Sequence, residues 1–312
     1  MDQRRRGLNP AHWVVGIVTG LIAACAAYGP SSAPSLVQIT ALQWIAEDAD
    51  PVAALTTQPA TCLKSGSFSA QARGGELLFN SPLLLGGQAA KAGLSCAACH
   101  QNGRGNPHFV FAGVTGKAGT ADVTHGLFGP ARADQVFNPV TIPDLALASG
   151  RTRVDREMPG TLEAFLSAQI IEEFEGSAPT PAMIAALASY IRALDAEACD
   201  PANVEPKSWR QELDRIHAGL DALGRFGRTD KDSSSAYALA IRASLGRLHA
   251  RYAGVGGVQN RLTQISLMVR DGAPGGEIEA TLSALEPELA EQAARSLYNP
   301  ERLSSALTAE AD

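Results

Sequence analysis

Hydrophobic residues recur at helical spacing through most of this chain, and that spacing predicts an all-α fold. In the first part it predicts helices over residues 69–79, 161–174 and 181–194, the first of them with Ser69 at its N-cap. A shorter helix is predicted within residues 37–54. The N-terminal two thirds of the chain therefore contains a few separate helices.

Residues 102–150 do not follow this pattern. Gly, Pro, Asn and Asp are frequent there and interrupt every short apolar run. Such residues favour turns and end regular elements, so long loops are predicted.

The pattern changes after Cys199. Residues 200–207 are rich in Pro and polar residues, which is typical of a boundary. Beyond them, four amphipathic stripes cover residues 213–223, 237–252, 258–269 and 278–289. Four such stripes predict a four-helix bundle over residues 200–312.

The first residues are typical of an export signal. Arg4, Arg5 and Arg6 precede an uncharged apolar run over residues 13–27, which is shorter than the roughly 20 residues that span a bilayer. The run contains Cys25 after two small residues, as in bacterial lipoprotein signals. We therefore expect a signal peptide over residues 1–25 and a lipid on Cys25. An ordinary signal peptide or an uncleaved anchor are the alternatives.

All three interpretations of this signal place the rest of the chain on the periplasmic side of a bacterial membrane, with residues 26–61 as a linker and a helix.

The composition of the chain excludes one class of partner. The net charge is −6 and charged residues make up 19% of the chain, so nucleic acid is not an expected partner.

One short motif carries specific chemistry. Residues 96–100 read Cys-Ala-Ala-Cys-His, which is the attachment signature of c-type haem. Cys96 and Cys99 would each bond to a vinyl group of one haem c, and His100 would bind the iron. A redox Cys pair would favour a βαβ context, and structural zinc would need two further ligands at short spacing. The sequence supplies neither, so covalent haem is the prediction.

Two further cysteines bracket the motif. Cys62 and Cys199 remain after the lipid and haem assignments, and an oxidising compartment favours their pairing. A bridge between them would close a loop of about 138 residues and stabilise the fold by about 4–5 kcal/mol in the loop-entropy model. Two buried thiols are the alternative.

Five pieces of the chain, in order, resemble the C-terminal haem half of bacterial di-haem cytochrome c peroxidases. They are residues 75–82 (GELLFNSP), 94–100 (LSCAACH), 137–145 (FNPVTIPDL), 161–165 (TLEAF) and 184–194 (IAALASYIRAL). The resemblance implies a cytochrome c-like haem domain with long loops over residues 62–199. It departs from the family in two respects. The family has two haem motifs and this chain has one, and the family's methionine ligand would fall near Val154, where the nearest Met is Met158.

The sixth iron ligand is not determined by the motif. Met158, followed by Pro159, is the first candidate because it lies in a predicted loop and carries a soft thioether. His108, His125 and an open site are the alternatives. Met183 lies inside a predicted helix and is expected in the core.

These features lead to three functional hypotheses. The first is a membrane-tethered one-electron carrier that meets a redox partner protein. The second is a peroxidase-like haem enzyme with an open distal site, where Asp155, Glu157 or His125 would serve as acid or base. The third is a haem-based sensor or scaffold that uses the helical bundle for its output.

Overall fold

The backbone follows the hydrophobic pattern closely in the first half of the chain. The computed structural model describes residues 37–147, 160–200, 202–227 and 229–311. Cys25, Asp155, Glu157 and Met158 lie outside the described residues. The fold is mainly helical.

Side-chain caps begin the three helices that the pattern predicts here. The hydroxyl oxygens of Ser69, Thr161 and Thr180 each accept a hydrogen bond from the backbone N–H three residues later, which satisfies an otherwise unpaired donor. The helices of this half are α1 (Pro51–Thr56), α2 (Ala70–Phe79), α3 (Gly87–Lys91), α4 (Cys96–Cys99), α5 (Leu162–Ala168) and α6 (Pro181–Ala193).

Short strands connect distant parts of the chain. Strand β1 (Thr57–Pro59) pairs antiparallel with β4 (Val204–Pro206), and β2 (Thr120–Ala121) pairs with β3 (Val140–Thr141). Apart from β2, β3 and two 3-10 turns, the described part of residues 101–147 is irregular, as its Gly and Pro content predicts.

The four C-terminal stripes form helices, but the region contains more than four. Its helices are α7 (Trp209–Phe226), α8 (Lys231–Arg251), α9 (Gly256–Arg270), α10 (Gly275–Ser283), α11 (Glu286–Glu291) and α12 (Pro300–Ala311). The fourth stripe is split next to Pro287, which has no N–H to continue a helix. The prediction of a four-helix bundle was therefore wrong in the number of helices, because the fourth stripe forms two of them and α12 was not predicted.

Helices from both sides of residue 200 share one core. A Cβ at Gly75 of α2 would collide with the Ala186 carbonyl of α6, so these two helices cross with their backbones in contact. On its other side, Leu77 of α2 packs against Gly219 of α7. The core is thus continuous where the sequence pattern changes. None of the helices among the described residues is both long enough and apolar enough to cross a lipid bilayer.

Candidate functional site

Helix α4 holds both thiols of the motif on one turn. Cys96 and Cys99 are three residues apart, so their side chains lie on the same face of the helix. Both are free thiols and half-buried. The N–H of His100 donates to the Cys96 carbonyl at 2.9 Å, so the imidazole leaves the backbone directly at the end of this turn.

The imidazole of His100 has a fixed orientation. Its Nδ1 lies 3.0 Å from the carbonyl oxygen of Pro143. Because a carbonyl can only accept, Nδ1 carries the proton, and the lone pair is on Nε2. Burial lowers the pKa of His100 to about 4, although the Pro143 carbonyl and Asp144 oppose this shift. The ring is therefore neutral near pH 7, and no described residue donates to Nε2.

A partly buried ion pair holds the Pro143 segment in place. Arg104 donates from Nε to Asp144 Oδ2 at 2.6 Å and from Nη1 to Cys62 Sγ at 2.8 Å. Asp144 also accepts from the N–H of Ala146. This pair joins the loop after the motif to the segment that supplies the carbonyl for His100, so Arg104 and Asp144 are positioning residues.

The disulfide lies beside the same arginine. Cys62 and Cys199 are joined, with their Cα atoms 5.5 Å apart and a sequence separation of 137. The structure thus brings together the two cysteines that the compartment argument paired.

The chain turns sharply after the motif. Asn102 and Gly103 both have positive φ (51° and 72°), and a Cβ at Gly103 would collide with Leu194. Only glycine combines that conformation with such a close approach. Further on, Asn106 donates to the Ala98 carbonyl at 2.8 Å and ties the turn back to α4.

Aromatic side chains from α2 and α6 cover one side of the imidazole. The ring of Phe79 lies 6.4 Å from that of His100 and 5.0 Å from that of Tyr190, measured between centroids. Phe79 and Tyr190 are buried. They exclude water from this side of the site.

The thiols are poorly suited to dithiol redox chemistry. Burial raises the pKa of Cys96 to about 12, and burial together with Cys96 does the same for Cys99. Reactive CxxC pairs have lowered thiol pKa values, because the thiolate is the nucleophile. Within the described ranges, no group of three or more His, Cys, Asp and Glu side chains could hold a metal ion. Neither alternative to haem attachment gains support from this geometry.

The candidates for a sixth ligand are not brought to His100 by any described contact. His108 is exposed and lies on the wall of a cavity that is lined by Ala97 and Ala98, on the other face of α4 from the thiols. His125 accepts from the N–H of Leu127 through Nδ1 at 3.2 Å. Met183 is buried in α6, as expected for a core residue.

Glu173 is a buried carboxyl group that sequence reasoning missed, and no described contact joins it to the motif residues. It lies in a π-helical turn after α5, and only 2% of it is exposed. Its Oε1 has no hydrogen-bond partner among the described residues, and Arg132 lies 3.6 Å from Oε2. Burial raises the pKa of Glu173 to about 7, against the opposing effect of Arg132. The sequence feature that could have identified it is the pair Glu172 and Glu173 inside an otherwise apolar predicted helix.

No family model, no curated protein and no solved structure matches this chain.

Proposed function

We propose that this protein is an exported c-type cytochrome that binds one haem covalently and carries one electron at a time. The observation that carries the proposal is the hydrogen bond from His100 Nδ1 to the Pro143 carbonyl, next to two free thiols on one helical turn. Histidine ligands of metals commonly donate their other ring N–H to a carbonyl in this way.

The residues of the site fit a covalently held haem. Cys96 and Cys99 would form the thioether bonds, and His100 would bind the iron through Nε2. Once bound, a haem with imidazole and thioether ligands supplies a one-electron iron couple of raised potential.

The rest of the site serves to position and shield His100. The Pro143 carbonyl keeps the proton on Nδ1, and the Arg104–Asp144 pair fixes that carbonyl. Phe79 and Tyr190 keep water from the ring. A ligand held this rigidly reorganises little when the charge on its metal changes, which favours electron transfer.

The remaining parts of the proposal come from the sequence. Met158 is proposed as the sixth ligand, and Cys25 as the lipidated residue that tethers the protein to the periplasmic side of a bacterial membrane. This tether would raise the local concentration of the protein near a redox partner protein at the same membrane.

Mass spectrometry of the full chain, produced in a host that exports and attaches haem, tests the covalent bond. Allowing for any lipid on Cys25, which adds the same mass to both proteins, the mature protein should be heavier than its polypeptide by one haem, and the Cys96→Ala/Cys99→Ala double variant should lose this mass. Cys62→Ser/Cys199→Ser is the matched control and should keep it. A mass equal to the bare polypeptide would refute the proposal.

An absorption spectrum of the oxidised protein tests the axial ligand. Ligation by methionine gives a weak charge-transfer band in the far red, which Met158→Leu should abolish and Met183→Leu should leave unchanged. A band that survives Met158→Leu excludes Met158 as the ligand.

A peroxidase-like enzyme is the second candidate, and Glu173 favours it. A buried carboxyl with a pKa of about 7 can hold or release a proton near neutral pH, as a general acid or base must. A high-spin spectrum together with peroxide turnover that Glu173→Gln abolishes would support this function over electron transfer.

A further inference from the structure

A cavity of about 380 Å³ lies on the face of α4 away from the thiols. Its walls come from residues 38–58, from Ala97 and Ala98 of α4, and from helices α7 and α8. This volume is near the lower end of the range for small-molecule sites, which is about 300–1,000 Å³.

The lining of this cavity is strongly cationic. Four basic side chains contribute to it, whereas Glu212 is its one acidic residue among those described. The basic residues are Lys207, Arg215, Arg247 and Arg251.

Two of the four cations have carboxylate partners. Arg215 lies 3.0 Å from Glu76 and 3.1 Å from Glu212, and Arg247 lies 2.9 Å from Glu212. Burial would raise the pKa of Glu212, but Arg247 and Arg215 hold it at about 2. Glu76 and Glu212 thus neutralise Arg215 and Arg247.

Lys207 and Arg251 have no carboxylate within salt-bridge distance in the described part of the chain. Lys207 Nζ donates to the Ala54 carbonyl at 2.9 Å. The guanidinium of Arg251 donates to the carbonyls of Leu55 and Leu297 at 2.6 and 2.8 Å. Among the described residues, neutral groups thus hold these two cations: backbone carbonyls, and for Arg251 also the Tyr298 ring, whose centroid lies 5.0 Å from the guanidinium carbon.

The surroundings of Lys207 are unfavourable for its charge. Burial, and then the nearby Arg251 and Arg215, lower the pKa of Lys207 to about 7. Glu205, two residues earlier, forms no ion pair with Lys207 in the described part of the chain, and its Oε1 accepts from the amides of Gln58, Asn102 and Gln211 instead. An unpaired buried charge is costly, and a bound anion would remove that cost.

We propose that this cavity binds a small dianion, either a dicarboxylate or a phosphate monoester, through Lys207 and Arg251. The two charges of the ligand match the two cations without a carboxylate partner, and the volume suits a metabolite-sized molecule. This site is separate from the face of α4 that carries the thiols, and it does not depend on haem attachment.

Isothermal titration calorimetry on the full-length mature protein, at constant ionic strength, tests the proposal. Succinate and glycerol 3-phosphate are the probes, with succinamide and glycerol as their uncharged counterparts. One dianion should bind saturably at one site, and the uncharged compounds should not bind. Which of the two dianions binds more tightly identifies the ligand class.

Two pairs of variants locate the site. Lys207→Met should weaken binding at least about tenfold, whereas Lys231→Met, at an exposed position of α8, should not change it. Gly246→Leu should also block binding, because Gly246 lines the cavity and a Cβ there meets open space. Gly224→Leu, at an equally open position of α7 outside the cavity, is its control.

Gly246→Leu removes no charge, so it still tests whether the dianion binds in this cavity if Lys207→Met does not fold. The absence of saturable binding of both dianions overturns the proposal. Equal effects of Gly246→Leu and Gly224→Leu, or of the two lysine variants, also overturn it.

Discussion

Glu173 is the residue whose environment conflicts most with its chemistry. Its side chain is buried in a π-helical turn, and one carboxyl oxygen has no hydrogen-bond partner among the residues that the structure describes. The nearby carboxylates of Asp122 and Glu172 add to the effect of burial on its pKa. A buried carboxylate of this kind is destabilising unless it is protonated. Its titration should therefore be visible in the stability of the whole fold.

Glu173 should make the protein less stable as pH rises through the range 4.5–7, whereas His100, whose pKa burial lowers from 6.5 to about 4, acts in the opposite direction. The folded state holds the Glu173 proton up to a pKa of about 7, whereas the unfolded chain releases it near the ordinary glutamate pKa of 4.5. The folded state thus binds the additional proton in this window, and Glu173 by itself should lower the free energy of unfolding by about 3 kcal/mol across it. Urea unfolding of the parent protein and of Glu173→Gln at pH 4.5 and 8 isolates this pH dependence of Glu173 as the difference between the two proteins.

Glu173→Gln should remove most of that dependence, because the amide does not titrate. At pH 8 the variant should be more stable than the parent protein by about 2–3 kcal/mol. Glu291→Gln, at an exposed position of α11, is the control and should keep the pH dependence. Equal pH dependences of the parent protein and Glu173→Gln would contradict the assignment of the shift to Glu173.

The motif residues could be predicted from the sequence, but their surroundings could not. The spacing of Cys96, Cys99 and His100 predicts their chemistry directly. The Pro143 carbonyl lies 43 residues further on. Every residue has a backbone carbonyl, so the sequence does not show which one lies beside the imidazole of His100. The burial of Glu173 was equally invisible, since it depends on which loops pack over its helix.

At the scale of elements, the crossing of α2 and α6 fixes the frame around the motif. The two helices touch at Gly75, and their aromatic residues Phe79 and Tyr190 meet beside His100. The crossing therefore determines where the apolar side of the site lies.

Gly75→Ala should destabilise the protein by about 3 kcal/mol, because the new methyl group would collide with the Ala186 carbonyl and force the helices apart. Chemical denaturation measures this loss. Gly224→Ala in α7 is the matched control, where nothing lies near the added Cβ. It should instead stabilise the helix by about 0.5–1 kcal/mol. Equal changes in the free energy of unfolding for Gly75→Ala and Gly224→Ala would show that the backbones of α2 and α6 are not in contact at Gly75.

Elements with a strong periodic pattern and a capping residue could be predicted, as α2 with Ser69 illustrates. Two elements could not. The π-helical turn has the same apolar spacing as an α-helix until its backbone bonds are known. Helix α12 has a narrow apolar stripe around Leu303 and Ala306, and its partners are distant residues such as Val37 and Leu55.

At the scale of the whole molecule, the C-terminal helices are part of the frame of the site. Arg215 of α7 lies 3.0 Å from Glu76 of α2, and Tyr237 of α8 belongs to the same core as Tyr190 of α6. The sequence predicted a boundary at residue 200 because the pattern of polar and apolar residues changes there. It could not show that α7 and α8 cover α2, because packing between distant helices is not encoded in local periodicity.

A shared core predicts that the two halves unfold together. Leu187→Ala in α6 and Ile265→Ala in α9 should each cost about 2–5 kcal/mol, since both side chains are fully buried. Each should accelerate hydrogen exchange of the most protected amides on both sides of residue 200, as measured by mass spectrometry. Leu239→Ala, at a partly exposed position of α8, should have little effect. Independent domains would give a different result, with Leu187→Ala accelerating exchange only within residues 62–199.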